Sequence, residues 1–149
     1  MAANGLAERR ATLARVKTLV GGRVWESALP DDQTVPIGPD GKVKPYIVLD
    51  FGAPVRVMSD RMLANPEKGQ PHTLPLNAAC IAGDADSAAA VAAALFDLLV
   101  DWAPSATADP FEAKGGYGTN RPATGKTPSQ FIAGIFLEST VNVDWVAPA

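Results

Sequence analysis

The chain has little of what site chemistry is usually made from. It holds one cysteine, Cys80, and one histidine, His72, so no internal disulfide forms and no Cys/His cluster is available for a structural metal. Long apolar runs are also missing. The best stretch, Ala88 to Val100, is interrupted by Asp97 and falls short of the roughly 20 residues a bilayer-spanning helix needs. The N-terminal segment MAANGLAERRATLARVKTLV sets basic residues among its apolar ones and has no continuous apolar core. That excludes a secretory signal there and makes cytoplasmic synthesis and folding the expectation. Neither sign of charge dominates: 13 Lys and Arg against 16 Asp and Glu leave −3, a balance unsuited to gripping duplex DNA. With 149 residues, 47% of them hydrophobic, the chain has material for one globular domain stabilised by packing or by assembly.

Leu6, Leu13, Val16, Leu19 and Val20 fall mostly on one stripe at helical spacing, which predicts an amphipathic first helix ended by Gly21 and Gly22. Arg23 to Ser27 alternates as a short strand. Residues 30–45, rich in proline and carrying the turn signal Pro39-Asp40-Gly41, read as a surface loop. Tyr46 to Phe51 is a β-branched and aromatic run expected of a central strand. Ala53 to Pro71 is too irregular for a regular element, and a loop of that length in a small domain is a candidate contact surface. A further strand starts near Thr73, with Pro75 arguing for an edge or a bulge, and closes at Gly83. Asp84 or Asp86 caps a helix over Ser87 to Trp102 that Pro104 stops, its alanine-rich first half allowing close approach to a sheet. Phe111 to Lys114 suits a short strand, Gly115 to Pro128 a second mobile loop, and Gln130 to Asp144 a long central strand, apolar on both faces. This order predicts an α+β fold: a mostly antiparallel sheet of four to five strands with two helices packed on one face.

No chemical constellation survives inspection. Asn120 to Thr127 ends in the Gly-Lys-Thr of a phosphate-binding loop, but Asn120 stands where the first glycine belongs and Pro128 follows at once. A flexible loop is therefore the preferred reading. Cys80 and His72 lie along one predicted strand without an orienting carboxylate, so Cys80 reads as buried packing and His72 as a loop-end residue. Asp84 with Asp86 is explained by capping and Asp31 with Asp32 by a turn, rather than by a divalent cation. Arg9, Arg10, Arg15 and Lys17 read as a solvated helix face, and Trp25, Trp102 and Trp145 as core or interface anchors. No cofactor is expected, and the features suit an interaction protein better than an enzyme.

As a whole the chain resembles the tail terminator proteins of long-tailed, siphovirus-type bacteriophages, particularly those infecting actinobacteria. The likeness runs over about residues 6–145. It rests on the order of an N-terminal helix, Gly22-Arg23-Val24-Trp25, the Leu29-Pro30-Asp31 turn, Pro45-Tyr46-Ile47-Val48-Leu49 and a Ser59-Asp60-Arg61 loop. An Ala-rich helix ending Leu98-Leu99-Val100-Asp101-Trp102 and the strand Phe131-Ile132-Ala133-Gly134-Ile135-Phe136 complete it. The resemblance implies a non-enzymatic virion protein at the head-proximal end of the tail. It implies a hexameric ring that stops polymerisation of the tail tube protein and meets a head-tail connector protein, while DNA passes without specific binding and no membrane is involved. A ring needs a heterologous interface, and the two long loops supply the candidate contact residues: Arg56, Met58, Arg61 and Met62 in the first, Tyr117, Arg121 and Lys126 in the second. Two other readings stay open: a head-to-tail connector or stopper of similar size, and a small nucleotide-binding enzyme using Gly125-Lys126-Thr127.

Overall fold

The computed structural model describes residues 5–29, 34–53, 55–56 and 72–141. Two helices, α1 (Leu6–Val16) and α2 (Ala85–Leu99), accompany strands β1 (Val24–Glu26), β2 (Tyr46–Phe51), β3 (Val55–Arg56), β4 (His72–Ala82), β5 (Glu112–Arg121) and β6 (Gln130–Val141). The sheet runs β1-β2-β4-β6-β5, with β3 beside β4. Among the described strands β1 pairs parallel with β2, while β2–β4, β3–β4, β4–β6 and β5–β6 are antiparallel. The expected α+β architecture is therefore observed.

Register sorts the side chains into two faces. Ile47 lies opposite Cys80, Leu49 opposite Ala78 and Leu76 opposite Leu137, and this face meets Leu95 and Leu99 of α2, Val16 of α1 and Phe111 in the main core. The helix α2 forms as its sequence suggests. Asp84 caps it, accepting a hydrogen bond from the Ser87 N–H at 2.7 Å, and that bond holds the Asp84 carboxyl below the usual range. It ends at Leu99, where Val100 turns extended, rather than at Trp102. Of its alanines, Ala88 is buried against the sheet while Ala89, Ala90, Ala93 and Ala94 are exposed.

The first helix keeps most of the expected stripe, with Val16 in the main core and Leu13, Leu19 and Val20 packed against it, but departs from expectation in its first turns. Its fully buried residues are Glu8, Thr12 and Val16, with Leu6 exposed. Two polar side chains sit there with partial satisfaction: Thr12 Oγ1 donates to the Glu8 carbonyl at 2.7 Å and Ser105 Oγ, from the far part of the chain, donates to Glu8 Oε1 at 3.0 Å, while Glu8 Oε2 is buried without a hydrogen-bond partner among the described residues. Nor are its arginines simply a solvated face. Arg9 pairs with Glu26 and covers the Phe51 ring. Arg15 donates to the Leu98 carbonyl at 2.9 Å and lies 4.7 Å from the Trp102 ring centroid. The chain then turns through Gly22, whose φ of 81° favours glycine.

Three further expectations are corrected. Glu112–Arg121 is a ten-residue strand rather than a short strand followed by a loop, because its backbone pairs with β6 along its length. As an edge strand it needs no buried face, and nine of its residues are exposed. Val55–Arg56, inside the expected Ala53–Pro71 loop, pairs with Thr73 and His72 of β4. Pro75 sits inside the sheet, not at its edge. It is tolerated because β2 ends opposite Leu76 and β3 begins opposite Thr73, so the missing N–H falls in the gap between two partners. Met58, Arg61, Met62, Asp31, Asp32, Trp145 and the Asp144 end of the expected last strand lie outside the described residues.

Candidate functional site

The helices cover one side of the sheet. On the other, β2 presents Tyr46 and Val48, β4 presents Ala79 and Ile81, β6 presents Ile132, and β5 presents Tyr117 and Arg121. With Ser27, Ala28 and Leu29 beyond β1, they enclose a hollow of about 280 Å³. No helix among the described residues lies over this face, but the segment leading from β1 to β2 covers part of it: Val43 is buried with Tyr46, Ile81 and Ile132 in a second core cluster, and Leu29 and Val35 pack against it, so residues 30–45 are not simply the surface loop expected.

Each wall of the hollow is held from behind. Tyr46 is buried, packs edge-on against Trp25 at 5.9 Å between centroids, and donates from its hydroxyl to Gln130 Oε1 at 2.9 Å. Burial raises its hydroxyl pKa, and the positive charge of Arg121 pulls in the opposite direction. Tyr117 lies flat over Gly134, its register partner, and tilts against Phe136 at 5.3 Å. Its hydroxyl donates to Asn77 Oδ1 at 3.3 Å. A side chain at 134 would occupy the space of the Tyr117 ring, so the glycine is what lets the ring lie down. Phe136 remains 43% exposed beside it. Beyond Phe136, Lys114 bridges Glu112 at 2.9 Å and Glu138 at 3.4 Å, and its pKa is raised by these carboxylate bonds.

Of the residues proposed for contact, Tyr117 and Arg121 share one face of β5 and belong to this hollow. Lys126 does not; it lies in the exposed β5–β6 turn, where Thr124 Oγ1 accepts from the Thr127 N–H at 3.1 Å. That turn leads into β6 and not into a helix, so the Gly-Lys-Thr sequence lacks the helical N–H groups that cradle a phosphate. Arg56 is on β3, paired with His72 at the far end of β4 from the hollow. Cys80 and His72 are eight residues apart on that extended strand, roughly 26 Å at ~3.3 Å per residue. Cys80 is fully buried, and burial pushes its thiol up to about 12. Among the described residues no three His, Cys, Asp or Glu side chains gather as metal ligands, and no helix is long and apolar enough to cross a membrane.

Sequence reasoning missed Tyr46, Ile81 and Ile132 as site residues because each sits in a strand whose other face makes the core. The available signal was that β2 and β6 are apolar on both faces although only one can pack under the helices.

No protein-family model matches the chain, and no curated protein matches it. Among solved structures it is similar to a chain from the virion of a native gene transfer agent particle, with a TM-score of 0.52 and 21% sequence identity. The likeness covers 89% of this chain and 93% of that one. What the two share is the fold.

Proposed function

We propose that the chain is a structural virion protein of the tail-terminator type. In this reading it forms a ring of six at the head-proximal end of a phage tail, stops polymerisation of the tail tube protein and presents a surface to the head-tail connector protein. The observation that carries it is the nearly end-to-end likeness in fold to a virion chain. The order of elements that resembles tail terminators supports the finer role. The exposed aromatic side chains Phe96 and Phe136 support assembly, since exposed apolar surface of this kind suits a contact. Six copies at −3 each carry −18, a field that lets DNA slide past rather than adhere. No chemistry is assigned to the chain. The contact residues are Tyr117 and Arg121 at the hollow, with Arg56, Met58, Arg61, Met62 and Lys126 as further contacts to the neighbouring subunit or the tube. Assembly takes place in the host cytoplasm.

The test is the mass of the purified protein, alone and mixed with the tail tube protein. Rings alone, or rings formed on tube ends that halt their growth, are expected. A chain that ignores tube ends but binds the portal-side connector overturns the terminator role in favour of a stopper. A monomer that binds nucleotide through Lys126 overturns the structural reading altogether.

A further inference from the structure

The sheet face turned away from the helices has two halves. Around Tyr46, Ile81 and Ile132 it is covered by the segment leading into β2. Further along the strands the register sets Asp50 beside Asn77 and Asn77 beside Phe136, with Pro75, Glu138 and Glu112 in the next row of that face. Asp50, Gly52, Pro75, Asn77, Phe136 and Glu138 line a shallow depression of about 260 Å³ there. The Phe136 ring stands in it exposed, and the carboxylates of Asp50, Glu112 and Glu138 are met by one amine, that of Lys114. Asp50 has no ion-pair partner among the described residues.

The outward stripe of α1 carries the opposite charge. Ala7, Arg10, Ala14 and Lys17 recur at spacings of three and four residues and are all exposed. Glu8, the one acid of this helix, is buried, and neither Arg10 nor Lys17 has an ion-pair partner among the described residues.

We infer that the depression receives the outward stripe of α1 from a second copy of this chain, with Ala14 over Phe136 and the cations Arg10 and Lys17 on Asp50 and Glu138. This rests on the ring reading above and specifies its subunit contact. Charge selects the occupant: unpaired cations with no exposed acid beside them meet a surface where carboxylates outnumber amines, which sets partner and register. Spacing agrees. Arg10 and Lys17 lie ~10.5 Å apart along the helix at ~1.5 Å per residue. Asp50 and Glu138, two strands and one row of side chains apart, are separated by roughly 12 Å, from ~4.8 Å between strands and ~3.4 Å per residue. Shape agrees as well, since the short side chains of Ala7 and Ala14 leave room for the ring, and an aromatic flanked by carboxylates suits a cation carried on an apolar stem. Val16 ties α1 to the helix-covered side of the sheet, while the depression opens on the other. A chain therefore cannot make this contact with itself. Because the two surfaces differ, the contact is heterologous and passes from copy to copy until rotation closes a ring.

The test uses the full chain in four forms: wild type, Arg10→Glu with Lys17→Glu, Asp50→Lys with Glu138→Lys, and all four substitutions together. Sedimentation follows each with concentration, alone and with tail tube protein. Arg10, Lys17 and Asp50 are exposed and Glu138 loses a surface ion pair of small worth, so melting temperatures are expected to stay near that of wild type. Each reversal sets like charges against each other and is expected to raise the assembly midpoint by about tenfold or more. The combined form is expected to return to near the wild-type value; a combined form as weak as either reversal overturns the contact. A second measurement needs no variant: carbodiimide joins an amine to a carboxylate it pairs with, and a mixture of heavy-nitrogen-labelled and unlabelled wild type distinguishes links between copies. Lys17 joined to Asp50 or Glu138 of another copy supports the contact. Lys17 joined instead to Asp86 or Asp97 of another copy means that α1 rests on α2, and overturns it. Reversals that assemble as well as wild type overturn the contact and leave the ring reading standing. Wild type that stays monomeric even with tube ends, without the Lys17 link, overturns both.

Discussion

Gly134 has no side chain where the Tyr117 ring lies, and this gives a substitution whose effect should change sign with its neighbour. In Gly134→Ala the new methyl must push the ring off. The tilted contact with Phe136 at 5.3 Å is then lost, about 1 kcal/mol for an aromatic pair. The 3.3 Å hydrogen bond to Asn77 is lost with it, about 0.5 kcal/mol at that length, as is the ring's cover over the strand, about 1 kcal/mol for ~40 Å² of apolar surface. Against this, alanine has less unfolded-chain freedom to lose than glycine, which returns about 0.5–1 kcal/mol. The net is a destabilisation of about 1.5–2 kcal/mol, the difference between these opposing terms. In a Tyr117→Ala background nothing occupies the space, and the same substitution should stabilise by about 0.5–1 kcal/mol. Urea unfolding of the four proteins, compared at equal m-values, measures the coupling, expected to be ~2.5 kcal/mol. An effect of the same sign and size in both backgrounds would refute the account of why residue 134 is glycine and of what props the hollow open.

Two further outcomes follow from the buried groups. Tyr46→Phe leaves the Gln130 Oε1 acceptor buried without its donor and should cost about 1–2 kcal/mol in the same assay; a neutral result would mean water reaches Gln130. The Cys80 thiol, raised to about 12 from 9.0 by burial, should react with an aromatic disulfide reagent at least about a hundredfold more slowly in the native than in the unfolded chain. Because the unfolded thiol releases its proton first, Cys80 contributes stability that is present below pH 9 and is lost as pH rises towards 12. Cys80→Ala should therefore flatten the alkaline fall in unfolding free energy, and an unchanged slope would count against the burial.

The elements legible in the sequence are those whose local signals agree with their surroundings. For α2, a capping aspartate, a helical apolar period and a following proline all point one way, and the helix starts where Asp84 caps it. The run Tyr46–Phe51 is a strand at the expected boundaries, flanked by Pro45 and Gly52. What was illegible is β5. Its sequence EAKGGYGTNR is mostly exposed, so no burial pattern marks it, and its strand character comes from the ladder donated by β6. The surviving trace is the two-residue spacing of Tyr117, Thr119 and Arg121, which share the open face. The hollow was half legible for the same reason. Tyr117 and Arg121 stand out as the large side chains of a glycine-rich segment, whereas Tyr46, Ile81 and Ile132 look like ordinary strand interior until the register shows that they face away from the helices.

Helix stability alone does not account for the outer face of α2. Lysine, glutamate and arginine form helices nearly as well as alanine and would add solubility and favourable pairs one turn apart. Exposed alanines at 89, 90, 93 and 94 forgo both. What they provide is flatness, with side chains too short to hold an approaching surface away and too apolar to need water. Phe96 gains little in a lone chain, where 42% of it faces solvent. An exposed aromatic beside flat alanine and two aspartates is the composition of a contact surface rather than of a solvated one.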